Sequence, residues 1–300
     1  MTENEFLLLD RIAKIKSINE QYNLIDNAYI SFSGGKDSTV LSYLMDEALP
    51  GNKIPRVFIN TGIEFKLIYI YIRKMHESDS RIEIVNAGKN IKETLSNVGY
   101  PFKSKEHSQK LYEYKSGLRG KAILKYFRII DGGYNSCPEK LMYQMNDDFK
   151  LNISHRCCLE FKKKPAKEWA KKNNKTILIT GMRKDECGTR STVSCTSFNS
   201  DNQLTRFHPL FVVNDDFENW FIESRKIKLC DLYYPPYNLT RTGCKGCPFT
   251  PWLKKDLYMM GQLLPSERKQ CEIIWKPVYD EYRRIGYRLE KENDDKLFDW

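Results

Sequence analysis

The residues best suited to chemistry lie close together early in the chain. Ser33-Gly34-Gly35-Lys36-Asp37-Ser38 puts two glycines, one cation, one carboxylate and two hydroxyls into six positions. Two adjacent glycines let a backbone turn sharply and approach a ligand with no Cβ in the way. A helix beginning there would point its unpaired N–H groups and positive dipole end at the turn, which favours phosphate. Lys36 adds a full positive charge, and Ser31, Ser33 and Ser38 add hydroxyl donors. Asp37 is out of place beside an anion unless it holds a metal ion such as Mg2+ that bridges phosphates. The Gly-x4-Gly-Lys-Ser/Thr spacing of a Walker A loop is absent. The plain alternative is an ordinary glycine turn after a strand.

A second grouping is sulfur. Cys157-Cys158 is followed, after 85 intervening residues, by Cys244-x-x-Cys247. A Cys-x-x-Cys turn flanked by glycine can present two thiolates to one metal centre. Adjacent cysteines chelate a single zinc ion poorly, whereas a [4Fe–4S] cube takes one thiolate per iron. A cluster, a zinc site and a redox or structural thiol set all remain open on these residues. Arg156, Lys162, Lys163 and Lys245 would offset the charge of a tetrathiolate centre and draw in an anionic substrate. Cys137, Cys187, Cys195, Cys230 and Cys271 show no such pattern and read as small buried hydrophobes. Cys271 is also weighed as a nucleophile, and Cys187 stands out for lying within an arginine-rich segment.

These residues must be positioned by a sizeable scaffold. The 300-residue chain, 41% hydrophobic and 29% charged, has the composition of a globular domain. A helix is expected over residues 4–24, then a strand at 28–32, the glycine loop, and a helix from residue 38. Strands at 56–60 and 81–85 alternate with a helix through 69–76, and the rhythm returns with a helix at 165–173 and a strand at 176–180. Such alternation predicts a doubly wound, mostly parallel α/β sheet covered on both faces. Residues 100–155 break the pattern and read as a helical insertion or lid, with Lys103, Lys105, His107, Lys110 and Arg119 as candidate pocket residues. Further helices are expected at 215–224 and, as one tail, from 265 to about 289. The expected division is 1–99, 100–155, 156–250 and 251–300. The acidic N-terminal stretch does not read as a signal peptide, and no apolar run is long enough to span a membrane. A cytoplasmic protein without membrane partners is expected, whose nine cysteines are not a disulfide framework. A net charge of +10 favours a polyanionic partner.

The loop resembles the PP-loop signature of the ATP pyrophosphatase superfamily, whose members cleave ATP between the α and β phosphates. Phe58-Ile-Asn-Thr-Gly-Ile-Glu-Phe65 is similar to the second-strand segment of that superfamily's phosphoadenosine phosphosulfate reductase branch. Gly181-Met-Arg183-Lys-Asp-Glu186-Cys-Gly-Thr-Arg190 is similar to its arginine segment. His208, Trp220 and the run from Arg241 to Pro248 resemble its C-terminal half. The resemblance implies an adenine-nucleotide-alpha-hydrolase-like fold that binds ATP through Ser31, Ser33, Gly34, Gly35, Lys36, Asp37, Ser38, Thr61, Gly62, Glu64, Gly181 and Arg183. Lys36, Asp37, Arg183 and Arg190 would act in catalysis, since a guanidinium fork suits phosphate or sulfate oxygens. Bacterial adenylylsulfate reductases carry a cluster on the same cysteine arrangement. The resemblance therefore also implies a [4Fe–4S] cluster on Cys157, Cys158, Cys244 and Cys247.

Two departures shift the expected activity. The Glu-Cys-Gly-x-His tail of thioredoxin-coupled sulfonucleotide reductases is absent, and Lys36 and Asp37 keep the form needed to cleave ATP. The expectation is therefore ATP cleavage to AMP and pyrophosphate that activates a substrate for sulfur transfer, as in DNA phosphorothioation or tRNA thiolation. Nucleic acid, either DNA or tRNA, and a sulfur- or electron-donor protein are the expected partners. The lysine-dense residues 162–172 would either follow a phosphate backbone or form a solvated helix face. A sulfonucleotide reductase yielding sulfite is one alternative. A nucleotide-sensing subunit of a nucleic-acid-processing complex is the other.

Overall fold

A computed structural model describes residues 1–133, 135–184 and 194–291. The chain divides into two compact units, each built from two separate lengths: Met1–Ala87 with Lys162–Gly243, and Gly88–Phe161 with Cys244–Trp300.

The first unit opens with α1 (Glu3–Tyr22) and α2 (Leu24–Asn27). Thr2 and Glu5 cap α1 reciprocally, which satisfies N–H groups that a helix start leaves open. There follow β1 (Ala28–Ser31), α3 (Lys36–Ala48), β2 (Arg56–Asn60), α4 (Lys66–Ser78) and β3 (Ile82–Asn86). The second unit contributes α5 (Ile91–Val98), α6 (Lys105–Lys115), α7 (Lys121–Tyr126) and a 3-10 turn at Glu139–Met145. The chain then returns to the first unit for α8 (Lys164–Lys172), β4 (Ile177–Ile179), β5 (Thr196–Phe198), β6 (Leu204–Phe207) and α9 (Asp215–Ser224). It ends in the second unit with α10 (Leu253–Leu263), α11 (Pro265–Ile274) and α12 (Lys276–Ile285).

All six strands form one sheet in the order β3-β2-β1-β4-β6-β5. The pairs β3–β2, β2–β1, β1–β4 and β4–β6 are parallel, while β5 runs antiparallel to β6. Parallel strands buried on both faces are apolar throughout, and Ala28, Tyr29 and Ile30 of β1 are accordingly buried. One side of the sheet joins Ile30, Ile177, Ile179 and Phe207 to Ile15 of α1, Leu41 and Leu44 of α3, and Phe217 and Phe221 of α9. The opposite side joins Tyr29 and Val57 to Trp169 and Ala170 of α8. The expected doubly wound, mostly parallel sheet is therefore observed. The β5–β6 hairpin goes beyond that expectation, and the tail expected as one helix from 265 to about 289 is two, α11 and α12, preceded by α10. The break falls at Trp275, with Pro277 in the first turn of the next helix.

Residues 100–155 carry α6, α7 and the 3-10 turn, with a parallel bridge between Tyr100 and Ile153. His107 is not a pocket residue. It is fully buried, with Nδ1 3.0 Å from Tyr126 Oη and Nε2 2.8 Å from Gln144 Oε1. Burial lowers it to about 4, so it packs as a neutral ring. Among the described residues, no helix is long and apolar enough to cross a membrane.

At the N-terminal end of β2, the fully buried Arg56 donates to Asn52 Oδ1 at 2.9 Å, Ser42 Oγ at 3.2 Å and Asp46 Oδ1 at 2.6 Å. This guanidinium ties β2 to the C-terminal half of α3. Arg56→Met keeps the aliphatic stem but removes the donors that reach Asn52 Oδ1, Ser42 Oγ and Asp46 Oδ1. It should lower unfolding free energy by about 3 kcal/mol, seen as a reduced urea midpoint at unchanged m-value.

Candidate functional site

In an open parallel sheet, ligands collect beyond the carboxyl ends of strands where the strand order reverses. Here β2 and β3 lie to one side of β1, and β4 and β6 to the other, so the reversal falls between β1 and β4. The glycine loop follows β1, and Thr180-Gly181-Met182-Arg183 follows β4. A pocket of about 1110 Å³ opens there, lined by Ser31, Ser33, Gly35, Lys36, Asp37 and Ser38 together with Gly181 and Arg183.

The loop is held by its own hydroxyls. Ser33 N–H donates to Ser38 Oγ at 3.2 Å, Gly35 N–H to Ser33 Oγ at 3.3 Å, and Ser38 Oγ to the Gly35 carbonyl at 3.0 Å. Gly34 takes φ +70°, in the left-handed region where only glycine is unstrained. Gly35 is the N-cap of α3 and brings no side chain to it. The Lys36 N–H instead donates to Tyr233 Oη at 2.9 Å, and that hydroxyl lies 2.9 Å from Thr242 Oγ1. Gly181 is needed for another reason. A Cβ there would lie 2.8 Å from the Asp37 carbonyl oxygen, a backbone atom that cannot step aside.

Charge converges on the same spot. Asp215 Oδ1 lies 3.1 Å from Lys36 Nζ and 2.8 Å from Arg183 Nη2. Glu218 Oε2 lies 3.2 Å from Lys36 Nζ and 3.7 Å from Arg183 Nη2. Both acids belong to the first turn of α9. Burial, followed by the nearby charge of Asp37, raises the fully buried Glu218 to about 7, against the pull of Arg183 and Lys36. Burial alone would lower Lys36, but Glu218 and Asp215 outweigh it and hold the ammonium above its ordinary value. The hydrogen bond from Lys36 lowers Asp215. Asp37 meets Arg183 Nε at 3.4 Å. Among the described residues, no three His, Cys, Asp or Glu side chains are gathered to hold a metal ion.

Of the other expected nucleotide residues, Thr61, Gly62 and Glu64 do not line this pocket. They make a turn after β2 in which Thr61 N–H donates to Glu64 Oε2 at 3.0 Å, while Lys162 Nζ lies 3.4 Å from Glu64 Oε1. Arg190, Glu186 and Cys187 lie outside the described residues. Sequence reading missed Asp215 and Glu218. Acids in a helix's first turn ordinarily answer its dipole, and their spacing carries no mark of a partner 180 residues away.

All four cysteines of the thiol set fall in the second unit. Cys157 Sγ and Cys158 Sγ are 4.0 Å apart. Cys157 is held far above the ordinary thiol range by its contact with Cys158, by burial, and by the charges of Cys158, Cys247 and Cys244. The charges of Cys244 and Cys247 thus reach Cys157, while among the described residues no three cysteines are gathered around one metal-ion position. Cys271 is fully buried, and burial pushes its thiol up to about 12. Cys137 and Cys230 are likewise buried, while Cys195 is half-buried.

Residues 27–132 and 134–250 match the phosphoadenosine phosphosulfate reductase domain family. The uncharacterized protein MJ0973 of Methanocaldococcus jannaschii is 26% identical over 289 residues, covering 93% of this chain and 55% of that protein. The chain thus spans about half the length of this relative. Similar solved structures include phosphoadenylyl-sulfate reductase from Candida auris in a phosphate complex. It has a TM-score of 0.38 and 14% identity, over 69% of this chain and 76% of that one. The U34-tRNA thiolase NcsA from Methanococcus maripaludis with its [4Fe–4S] cluster has a TM-score of 0.43 and 15% identity, over 98% and 84%.

Gly181→Ala should displace the start of α3 and abolish detectable adenine-nucleotide binding in calorimetry while the fold persists by circular dichroism. Glu218 has a second signature. Its folded value lies above the ordinary 4.5, so the folded state holds an extra proton between about pH 4.5 and 7 and loses stability as pH rises through that window. Glu218→Gln should remove this component. The difference between pH 5 and pH 8 urea midpoints should shrink relative to wild type, and an unchanged difference would refute the assignment.

Proposed function

Because the chain belongs to the phosphoadenosine phosphosulfate reductase domain family, we propose that it is an enzyme that cleaves ATP to AMP and pyrophosphate, activating a substrate for sulfur transfer. The observation that carries this reading is the placement of Lys36 and Arg183. Both cations reach Asp215 Oδ1, at 3.1 and 2.8 Å, so they can bind one shared anionic oxygen. They do this at the start of α3, where phosphate is also favoured by the helix dipole.

In this reading the nucleotide's phosphates take over the position of the two acids. Lys36 and the first turn of α3 hold the β and γ phosphates, and Arg183 approaches the α phosphate. A substrate oxygen attacks the α phosphorus, the bond from that phosphorus to the α–β bridging oxygen breaks, and pyrophosphate leaves with the electron pair. Lys36 neutralises the charge gathering on the leaving group. A sulfur nucleophile then displaces AMP from the adenylated substrate. Ligand pockets commonly occupy roughly 300–1,000 Å³. The larger volume here leaves room for an acceptor beside the nucleotide.

Cys157, Cys158, Cys244 and Cys247 would hold a [4Fe–4S] cluster, which when bound supplies a site for carrying sulfur. In the sequence, Thr242 of the loop network and Cys244 are separated by one residue. Nucleic acid is the proposed acceptor class. Lys163, Lys164, Lys167, Lys171 and Lys172 are all exposed on or beside α8, a density of cations suited to a phosphate backbone. A sulfur- or electron-donor protein would complete the cycle.

Labelled ATP should yield AMP and pyrophosphate, and Lys36→Ala should slow this by at least about 100-fold. Release of ADP and phosphate would overturn the proposal. Sulfite formed from a sulfonucleotide without ATP cleavage would replace it with the reductase reading. Protein purified without oxygen should show the broad visible absorption of an iron–sulfur centre, and Cys157→Ser or Cys247→Ser should each abolish it.

A further inference from the structure

The backbone of the Cys244–Cys247 turn is held from below to an unusual degree, all within the second unit. Trp275 Nε1 donates to the Lys245 carbonyl at 3.0 Å, and Tyr279 Oη donates to the Gly246 carbonyl. The Pro248 carbonyl accepts from Tyr282 Oη at 3.0 Å and from Arg288 Nη1. Gly246 takes φ +59°, and a Cβ there would fall 2.5 Å from Tyr279 Oη and 2.8 Å from Cys271 Sγ. Lys245 itself is buried, with Nζ 3.4 Å from Glu267 Oε2 and 2.5 Å from Gln270 Oε1 on α11.

The three aromatic donors are not scattered. Positions 275, 279 and 282 fall at i, i+4 and i+7 and so share one helix face. Each is at most 1% exposed. A tryptophan and a tyrosine each carry a single polar hydrogen, and here every one is directed at a carbonyl of the turn or of the proline that follows it. Ordinary packing would be served as well by phenylalanine. Tyr282 also accepts from the Lys103 N–H at 2.7 Å, which fixes its hydroxyl rotor so that its proton faces Pro248.

A trans peptide carries its N–H opposite its C=O. Anchoring the Lys245 and Gly246 carbonyls to Trp275 and Tyr279 therefore fixes the planes and dipole directions of two of the three peptides between the cysteines. The negative ends are turned toward the helix. Dipoles and hydrogen bonds around thiolate ligands are what tune a metal centre's affinity and potential. We propose that Trp275, Tyr279 and Tyr282 are positioning residues that set the orientation of the Cys244–Cys247 turn, and through it the reduction potential and retention of the centre it ligates. This rests on the iron–sulfur reading above.

The test compares oxygen-free preparations of the full chain carrying Trp275→Phe, Tyr279→Phe or Tyr282→Phe with wild type. Tyr143→Phe, which removes a part-buried hydroxyl contact to Glu281 on the same helix without touching the cysteine turn, controls for lost stability. Iron content, midpoint potential in a dye-mediated titration, and the rate of iron release to a chelator are read alongside the urea midpoint. Trp275→Phe and Tyr279→Phe should each release iron at least about tenfold faster and shift the potential downward, as a freed carbonyl turns toward the sulfurs. Tyr143→Phe should change neither. Variants that lose stability but keep wild-type potential and release rate would overturn the positioning role and leave the iron–sulfur reading intact. Wild-type protein with no iron would overturn both.

Discussion

The carbonyl of Asp37 occupies the space where a side chain at residue 181 would begin. That backbone approach lets the segment after β4 lie against the first turn of α3, and the rest of the proposed nucleotide site depends on it. With the two strand ends this close, Lys36 from one and Arg183 from the other reach the same oxygen. A larger residue at 181 would separate them by moving a helix whose opposite face is packed against α1 and β1, so little compliance is available.

The two cations are not simply waiting for an anion. Asp215 and Glu218 already neutralise them, so a phosphate must displace carboxylates to bind. The exchange is close to balanced in hydrogen bonds and charge, which favours selectivity over raw affinity. Asp215 is exposed and can rehydrate once displaced. Glu218 is buried and can take up a proton, so the two acids leave the cations by different routes. Tyr233 completes the arrangement by accepting the first N–H of α3 without bringing a charge of its own.

Much of this was legible in the chain because the informative features are local. Strand, glycine pair and helix follow one another within twenty residues, and β2 lies at the residues its apolar run indicates. The sheet's parallel character follows from alternation alone. The features that were not legible are those made by distant pairing. β5 and β6 are short, and β5 has no buried face to impose a period of two on its sequence. The acids of α9 look like dipole partners until the fold brings Lys36 and Arg183 to them. His107, read as a pocket residue, is enclosed by Tyr126 and Gln144, neither of which is near it in sequence. α11 and α12 read as one helix because Pro277 sits at a first-turn position that a helix tolerates.

The placement of β4 between β1 and β6 carries a consequence for synthesis. β1 is complete by residue 31, yet its second neighbour is made only at residue 177. Until then, β1 exposes a row of unpaired backbone donors and acceptors along one edge. A nascent chain of about 150 residues would therefore present a template for pairing with other chains. Chaperone shielding of that edge during translation, and aggregation of any fragment that stops before β4, follow from strand order alone.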